Sequence, residues 1–141
     1  EWWILEQPSH KALQSLVARL NKVYLENPAM WQQDHDRGGF TWIDGGAAES
    51  NVLTFLRWDE SGNPIAVAIN FAGHPHYDWK LGLPRAGEWT EILNTDAVEF
   101  GGSGVGNLGS VQANGESTHG QPHSAKINIP PLGAVWFKPK N

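Results

Sequence analysis

Hydrophobic residues recur at helical spacing in the first part of the chain. Over residues 9–26 they fall at i, i+3, i+4, i+7, i+10 and i+11, which is one face of a helix. These positions are Leu13, Leu16, Val17, Leu20, Val23 and Tyr24. Ser9 is placed to cap the N-terminus, and Asn27 precedes a proline, where helical angles are disfavoured. The pattern predicts an amphipathic helix over residues 9–26, with a short helical turn at 29–33.

Beyond Gly38 and Gly39 the pattern changes to short β-type runs separated by turn residues. The runs cover residues 40–43, 52–58, 65–71, 79–83, 89–93, 124–129 and 134–137. In the run 65–71, Ile, Val, Ile and Phe alternate with Ala66, Ala68 and Asn70, so we expect one buried face and one face of small or polar groups. The same alternation places Trp79 in the core. Regular short strands with Gly/Pro turns are typical of an antiparallel sandwich or barrel.

Two segments do not fit this simple pattern. Residues 94–123 form a long Gly-, Asn- and Ser-rich stretch, and a loop of that length is usually functional or docked on a neighbour. The helix has a wide apolar stripe that must be buried somewhere. It packs either on the β-domain or on a partner that lies upstream of this sequence.

Composition narrows the classes of function. The chain has 141 residues, a net charge of −5 and no Lys/Arg cluster, so a nucleic-acid partner is not expected. It has no cysteine, which excludes disulfides and fits a reducing cytoplasm. The longest aliphatic run, residues 65–69, is too short to cross a membrane. Because the first residue is Glu1, we expect a fragment, a processed product or a trimmed chain.

Eight tryptophans are the unusual feature of the composition. Tryptophan packs well in cores, and its ring also stacks on the C–H face of a sugar. Strand parity does not place Trp31, Trp42 and Trp58, and these three are our candidates for contact with a sugar. Burial in the core is the ordinary alternative for each of them.

Other familiar motifs lack the context that their chemistry needs. The Gly104–Gly109 run matches G-x-G-x-x-G, but the residues after it are poor helix formers, so no dinucleotide is expected. His74, His76, His119 and His123 lack metal-ligand spacing. A glycoside hydrolase needs two carboxylates that flank the sugar bond. The acidic pairs of this chain are Asp34/Asp36, Asp59/Glu60 and Asp96/Glu99, and all of them sit in turn-like sequence without aromatic residues on both sides. We therefore assign no catalytic residue, no cofactor and no metal.

Several segments in fixed order resemble the C-terminal region of bacterial 1,4-α-glucan (glycogen) branching enzymes, which belong to the α-amylase superfamily. The most specific is GEWTEILNTD at residues 87–96, followed by GGSG at 101–104 and HGQPHS at 119–124. The others are residues 3–5, 10–24, 28–30, 40–44, 50–57, 70–71, 106–107 and 129–132. Residues 72–76 depart from the family pattern, so the resemblance does not predict the conformation of that loop.

The resemblance implies a C-terminal antiparallel β-sandwich at residues 39–141, preceded at 1–38 by the last helix of a (β/α) catalytic barrel. It also implies a cytoplasmic parent enzyme of glycogen biosynthesis, a transferase that moves α-1,4-glucan segments to 6-hydroxyls. This segment matches none of the catalytic motifs, so alone it is expected to be inactive. Its partners would be the barrel and, through the parent, α-glucan, with neither nucleic acid nor membrane.

Two other functions remain open from the sequence. An autonomous carbohydrate-binding module would show exposed, coplanar tryptophans. A purely structural or interaction domain would bury all of them.

Overall fold

Eight strands in antiparallel pairs form the larger part of the regular secondary structure, which a computed structural model describes over residues 1–141. The strands are β1 (Phe40–Asp44), β2 (Val52–Trp58), β3 (Pro64–Asn70), β4 (His76–Leu83), β5 (Gly87–Asn94), β6 (Ser110–Ala113), β7 (His123–Ile129) and β8 (Gly133–Pro139). Seven of them overlap the predicted runs. The mainly β fold is therefore confirmed.

The strands form two sheets that enclose one core. A six-stranded sheet has the order β1-β2-β3-β8-β5-β6, and β4 and β7 form a two-stranded sheet. Fifteen buried residues lie between them, among them Leu56, Leu81, Trp89, Ile127 and Phe137. We call this set the inner core. The two sheets on either side of it are the two layers of the predicted sandwich.

Strand β3 is buried on both faces, which corrects the expectation of one apolar face toward the core. Ala66 and Ala68 belong to the inner core, so the small residues face the second sheet. Ile65 and Val67 are buried on the opposite side, which we call the outer face. A 3-10 turn, Pro28–Met30, covers them there. Small side chains let the two sheets approach closely, so the larger residues point away from the core.

The stretch 94–123 is not one loop. It contains a 3-10 turn, Val98–Phe100, and the strand β6, which pairs with β5 at the edge of the sheet. The sequence SVQA has only one strongly apolar residue, Val111, so strand pairing rather than composition defines this element. The predicted single loop was therefore wrong for residues 110–113.

Trp79 lies close to its predicted position. Its ring packs against the inner core but stays partly accessible, whereas Trp89 on β5 is fully buried. The Trp89 indole Nε1 donates to the Arg85 carbonyl at 3.0 Å. The Trp79 indole Nε1 is buried without a hydrogen-bond partner.

One α-helix, α1 (Pro8–Glu26), precedes the strands, and a 3-10 turn, Trp2–Glu6, precedes α1. The predicted cap at Ser9 was wrong, because the helix already begins at Pro8 and Ser9 lies inside it. Proline suits the first helical position, since the backbone N–H that it lacks would be unpaired there. The predicted end at Asn27 is confirmed. No helix of this chain has the length and apolar character needed to span a membrane.

Candidate functional site

Trp42 lies on the outer face of β1, in an aromatic cluster. Its partner across the strands is Phe55, and Phe40 is its neighbour on the same face. The Phe40 and Trp42 ring centroids are 4.9 Å apart in an edge-to-face arrangement, and Phe40 stacks on Phe55 at 5.1 Å. The Trp42 side chain is 53% exposed. The cluster therefore holds an accessible indole in a fixed orientation.

Trp58 lies on the other side of the same sheet. Its ring packs against the inner core, and its indole Nε1 donates to Thr41 Oγ1 at 3.0 Å. Trp31 follows the turn Pro28–Met30 and is 40% exposed. Because Trp42 and Trp58 face opposite sides of one sheet, the three candidate tryptophans do not form a single stacking surface.

Helix α1 presents two different apolar sides. Leu16 and Leu20 are half-buried and Val23 is buried, on the side turned to the β-domain. Leu13, Val17 and Tyr24 belong to the same predicted stripe but remain exposed. The β-domain thus covers only part of the stripe. The open part is a set of large apolar side chains that water solvates poorly.

An apolar cleft adjoins the open side of the helix. The turn Trp2–Glu6 packs beside α1, and the cleft between them has a volume of about 570 Å³. Trp2, Ile4, Leu5 and Val17 line it. Trp2 and Trp3 are largely exposed. We did not single out these two tryptophans from the sequence, although the run of four apolar residues at 2–5 was a usable signal.

The segment between helix and strands is fastened to the β-domain. The buried Asn27 donates from Nδ2 to the Val23 carbonyl at 2.7 Å and accepts from Lys138 Nζ at 3.0 Å. Arg57 donates from Nε to the Ala29 carbonyl and pairs with Asp34 through its guanidinium. These bonds join the helix end and the turn that follows to β2 and β8.

Asp96 organises the loop that supports the helix. Its carboxylate accepts from Ser103 Oγ at 2.6 Å, Ser103 N at 2.9 Å and Val105 N at 3.0 Å. Partial burial alone would raise the pKa of Asp96, but these hydrogen bonds outweigh it and hold the pKa below the ordinary value. The loop turn Val98–Phe100 that they stabilise packs against α1.

The pKa of Glu91 on β5 is shifted in the opposite direction from that of Asp96. Burial raises the pKa of Glu91, although Asn107 Nδ2 donates to its Oε2 at 2.6 Å. Glu91 lies in a cleft of about 160 Å³ that Arg19 of α1 also lines. Asn107 is in turn bonded to the Asn128 backbone, at both N–H and carbonyl. Glu91 therefore links β5, the loop and β7 beside the helix.

The remaining motif residues serve local structure. Asp59 accepts from Asn63 N and Nδ2, which closes the β2–β3 turn. The His74 and His76 rings meet edge to face with their centroids 5.1 Å apart, and His76 Nε2 lies 2.9 Å from the Ser50 carbonyl oxygen. No three His, Asp or Glu side chains lie close enough together to hold a metal ion. The glycine run at 104–109 leads into β6 rather than into a helix.

Comparison with known proteins agrees with this architecture. The sequence profile described as "Alpha amylase, C-terminal all-beta domain" matches residues 42–140. The chain belongs to this all-beta domain family. The matched range begins within β1 and ends after β8, so it contains both sheets of the sandwich.

Relatives match beyond the β-domain, into the helix. A protein of Leifsonia xyli subsp. xyli named 1,4-alpha-glucan branching enzyme GlgB is 55% identical over 98% of this chain and 19% of its own length. Proteins of the same name from Thermobifida fusca and Frankia casuarinae are 50% and 49% identical, over 97% and 99% of this chain and 18% of their own. The chain spans about a fifth of the length of these relatives.

Proposed function

We propose that this chain is the C-terminal part of a 1,4-α-glucan branching enzyme. The parent would cut α-1,4-linked glucan and transfer the segment to a 6-hydroxyl. The observation that carries the proposal is the match along 97–99% of the chain to proteins named for that activity, at about half of all positions. The match covers 18–19% of those proteins, so most of their length lies outside it. This chain's own contribution would be structural.

Within that parent we propose two units. Residues 1–38 would be the end of the catalytic barrel, with α1 as its last helix, and residues 39–141 the β-sandwich. Support comes from the helix stripe: the sandwich covers Leu16, Leu20 and Val23, and Leu13, Val17 and Tyr24 stay available to another surface. The sandwich would then hold the helix against the barrel from the outside.

A chimera tests this role. The matching fifth of the Leifsonia xyli relative is deleted, or replaced by this chain, and branch points formed on amylose are counted after debranching. Because more than half of the positions agree, we expect the replacement to branch amylose and the deletion to lose most of the activity. A replacement as inactive as the deletion, although folded by circular dichroism, contradicts the proposal.

The chain by itself provides the second arm of that test. We assign none of its residues to catalysis, so the isolated chain should form no branch points above a buffer control. Branching by the isolated chain would overturn the proposed division of labour.

We further propose weak glucan contact at Trp31, Trp42 and Trp58. Exposure of Trp31 and Trp42 supports it, and the placement of Trp58 across the sheet makes two separate contacts more reasonable than one. One or two stacked indoles on an open surface correspond to a dissociation constant of about 1 mM, or roughly −4 kcal/mol. Maltoheptaose titration with amide shifts checks this, with Trp42→Ala as the variant and Tyr77→Ala as the control. If no amide signal near the three tryptophans shifts, the glucan contact is contradicted and the domain has an entirely structural role.

We place the parent in the cytoplasm, with neither nucleic acid nor membrane as a partner. The lack of cysteine supports a reducing compartment, and the net charge of −5 disfavours binding to polyanions. Fractionation of cells that express a tagged full-length parent tests the location.

A further inference from the structure

Two large apolar side chains are exposed at the edge of the six-stranded sheet where β3 ends and β8 begins. Phe71 follows β3 and is 58% exposed, and Leu132 precedes β8 and is 75% exposed. Between them lies a cleft of about 380 Å³, to which Ile69 and Ala134 contribute. We call it the distal cleft. Isolated exposed leucines are common, but two large apolar residues flanking one apolar cleft are typical of an interaction site.

The walls of the distal cleft are held rigidly. Leu132 has a positive φ of 47°, a conformation that costs energy for a residue with a side chain. Its backbone N–H donates to the Ala72 carbonyl at 3.0 Å. Asn70, which is buried, donates from Nδ2 to the Pro130 carbonyl and accepts from Ala72 N–H at 2.8 Å. The two turns that carry Phe71 and Leu132 are therefore locked to each other and lose little entropy on binding.

The lining of the cleft indicates an apolar occupant. None of the residues that line it is charged. Its hydroxyl, Thr95 Oγ1, already accepts from Ala134 N–H at 2.9 Å, and the Asn70 amide is used within the wall. A sugar needs hydrogen bonds to its hydroxyl groups, and this cleft offers few free partners for them. An apolar side chain of a protein fits its chemistry better.

The cleft opens on the same side of the sheet as the helical segment. Ile69 packs in the outer-face cluster that also contains Met30 of the turn after α1. A single body lying over the outer face could therefore reach both the open side of α1 and the distal cleft. A partner anchored by two separated contacts cannot rotate about either one.

We infer that the distal cleft receives an apolar side chain from the part of the parent enzyme that precedes this chain. This inference rests on the proposed function. The relatives supply such a body, since about four-fifths of their length lies outside the matched segment. Phe71 and Leu132 would then be buried in the whole protein, and the distal cleft would fix the angle at which the sandwich sits on it.

Cysteine labelling in the chimera described above tests the inference. This chain has no cysteine of its own, so Leu132→Cys and Phe71→Cys introduce single reactive sites once any cysteines of the relative are replaced. Tyr77→Cys is the control, because Tyr77 is 63% exposed and lies on β4 of the other sheet. If the cleft is occupied about 90% of the time, maleimide should label positions 71 and 132 about tenfold more slowly than position 77. In the isolated chain all three should label at similar rates.

A photo-crosslinking residue at position 132 identifies the occupant. Adducts to residues upstream of Glu1 in the same chain support the inference. Adducts only between two copies, or none at all together with fast labelling, overturn it. The branching assay separates this failure from failure of the proposed function, because a chimera that branches amylose with an open cleft refutes the docking site alone.

Discussion

Apolar residues are buried to different extents in the inner core and in helix α1. In the inner core, fifteen residues from both sheets bury one another almost completely. In α1, which has nineteen residues, Val23 is the one buried residue, and about half of the stripe faces outward. The inner core is therefore complete in itself, whereas the helix is an interface with one side filled. Stability should therefore depend mainly on the inner core, and association on the open side of the helix and on the distal cleft.

The largest expected effect comes from the inner core. Phe137→Ala on β8 removes a fully buried ring between the sheets. A cavity of that size costs about 3–5 kcal/mol of the free energy of unfolding. Urea denaturation followed by Trp fluorescence measures the loss, and Tyr77→Ala on an exposed position should change it by less than about 0.5 kcal/mol. A loss below about 1 kcal/mol for Phe137→Ala would mean that the sheets pack loosely.

A smaller effect is expected where the two regions meet. Asn27→Ala leaves the Lys138 ammonium and the Val23 carbonyl without their partner. A lost buried hydrogen bond of this kind costs about 1–3 kcal/mol. Differential scanning calorimetry should show the loss, and Asn21→Ala on the exposed helix surface is the control. An unchanged transition would show that the helix end is not energetically coupled to β8.

The helix itself should contribute little to the stability of the sandwich. Leu16→Asp with Leu20→Asp places charges on the side of α1 that the β-domain covers, and we expect helical circular dichroism to fall while the β-domain stays folded. The free energy of unfolding of the β-domain, measured by urea denaturation, should change by less than about 0.5 kcal/mol. Ser15→Asp with Lys22→Asp makes a similar change on the exposed side. Unfolding of the whole chain in one step by the leucine pair would place the helix in the same core and move the boundary away from residue 38.

The smallest expected effect is a change of the free energy of unfolding with pH, caused by Glu91 in the cleft between α1 and β5. Burial raises the pKa of Glu91 in the folded chain, so the folded state is penalised once the carboxyl group must ionise. Below the ordinary value of 4.5, Glu91 is protonated in both states and Glu91→Gln should have little effect. As the pH rises above that value and through the folded pKa, the wild type should lose stability relative to Glu91→Gln. Unfolding measured at pH 4 and pH 7 checks the sign, and a variant that is less stable at pH 7 contradicts it.

Much of the fold could be predicted because the determining signals are local. Alternation at Leu81 and Leu83, the turn at Asp59–Asn63 and the proline after Asn27 each depend on residues within one element. Seven strands and the helix were placed from such signals. The strand Ser110–Ala113 was missed because its pairing with β5 is a long-range contact that four weakly apolar residues do not signal.

An amphipathic helix, an antiparallel β-domain and a relationship to branching enzymes could all be recognised without coordinates. Which side of each element is buried depends on how the elements pack. Ala66 and Ala68 face the inner core because the close approach of two sheets favours small side chains, although alternation alone favours the larger residues there. Likewise Trp42 and Trp58 lie on opposite faces, and Phe71 and Leu132 meet across one cleft, because strand register brings together residues that are far apart in the chain. Spacing along a sequence carries the period of an element, but the direction of its faces is fixed only when the elements pack.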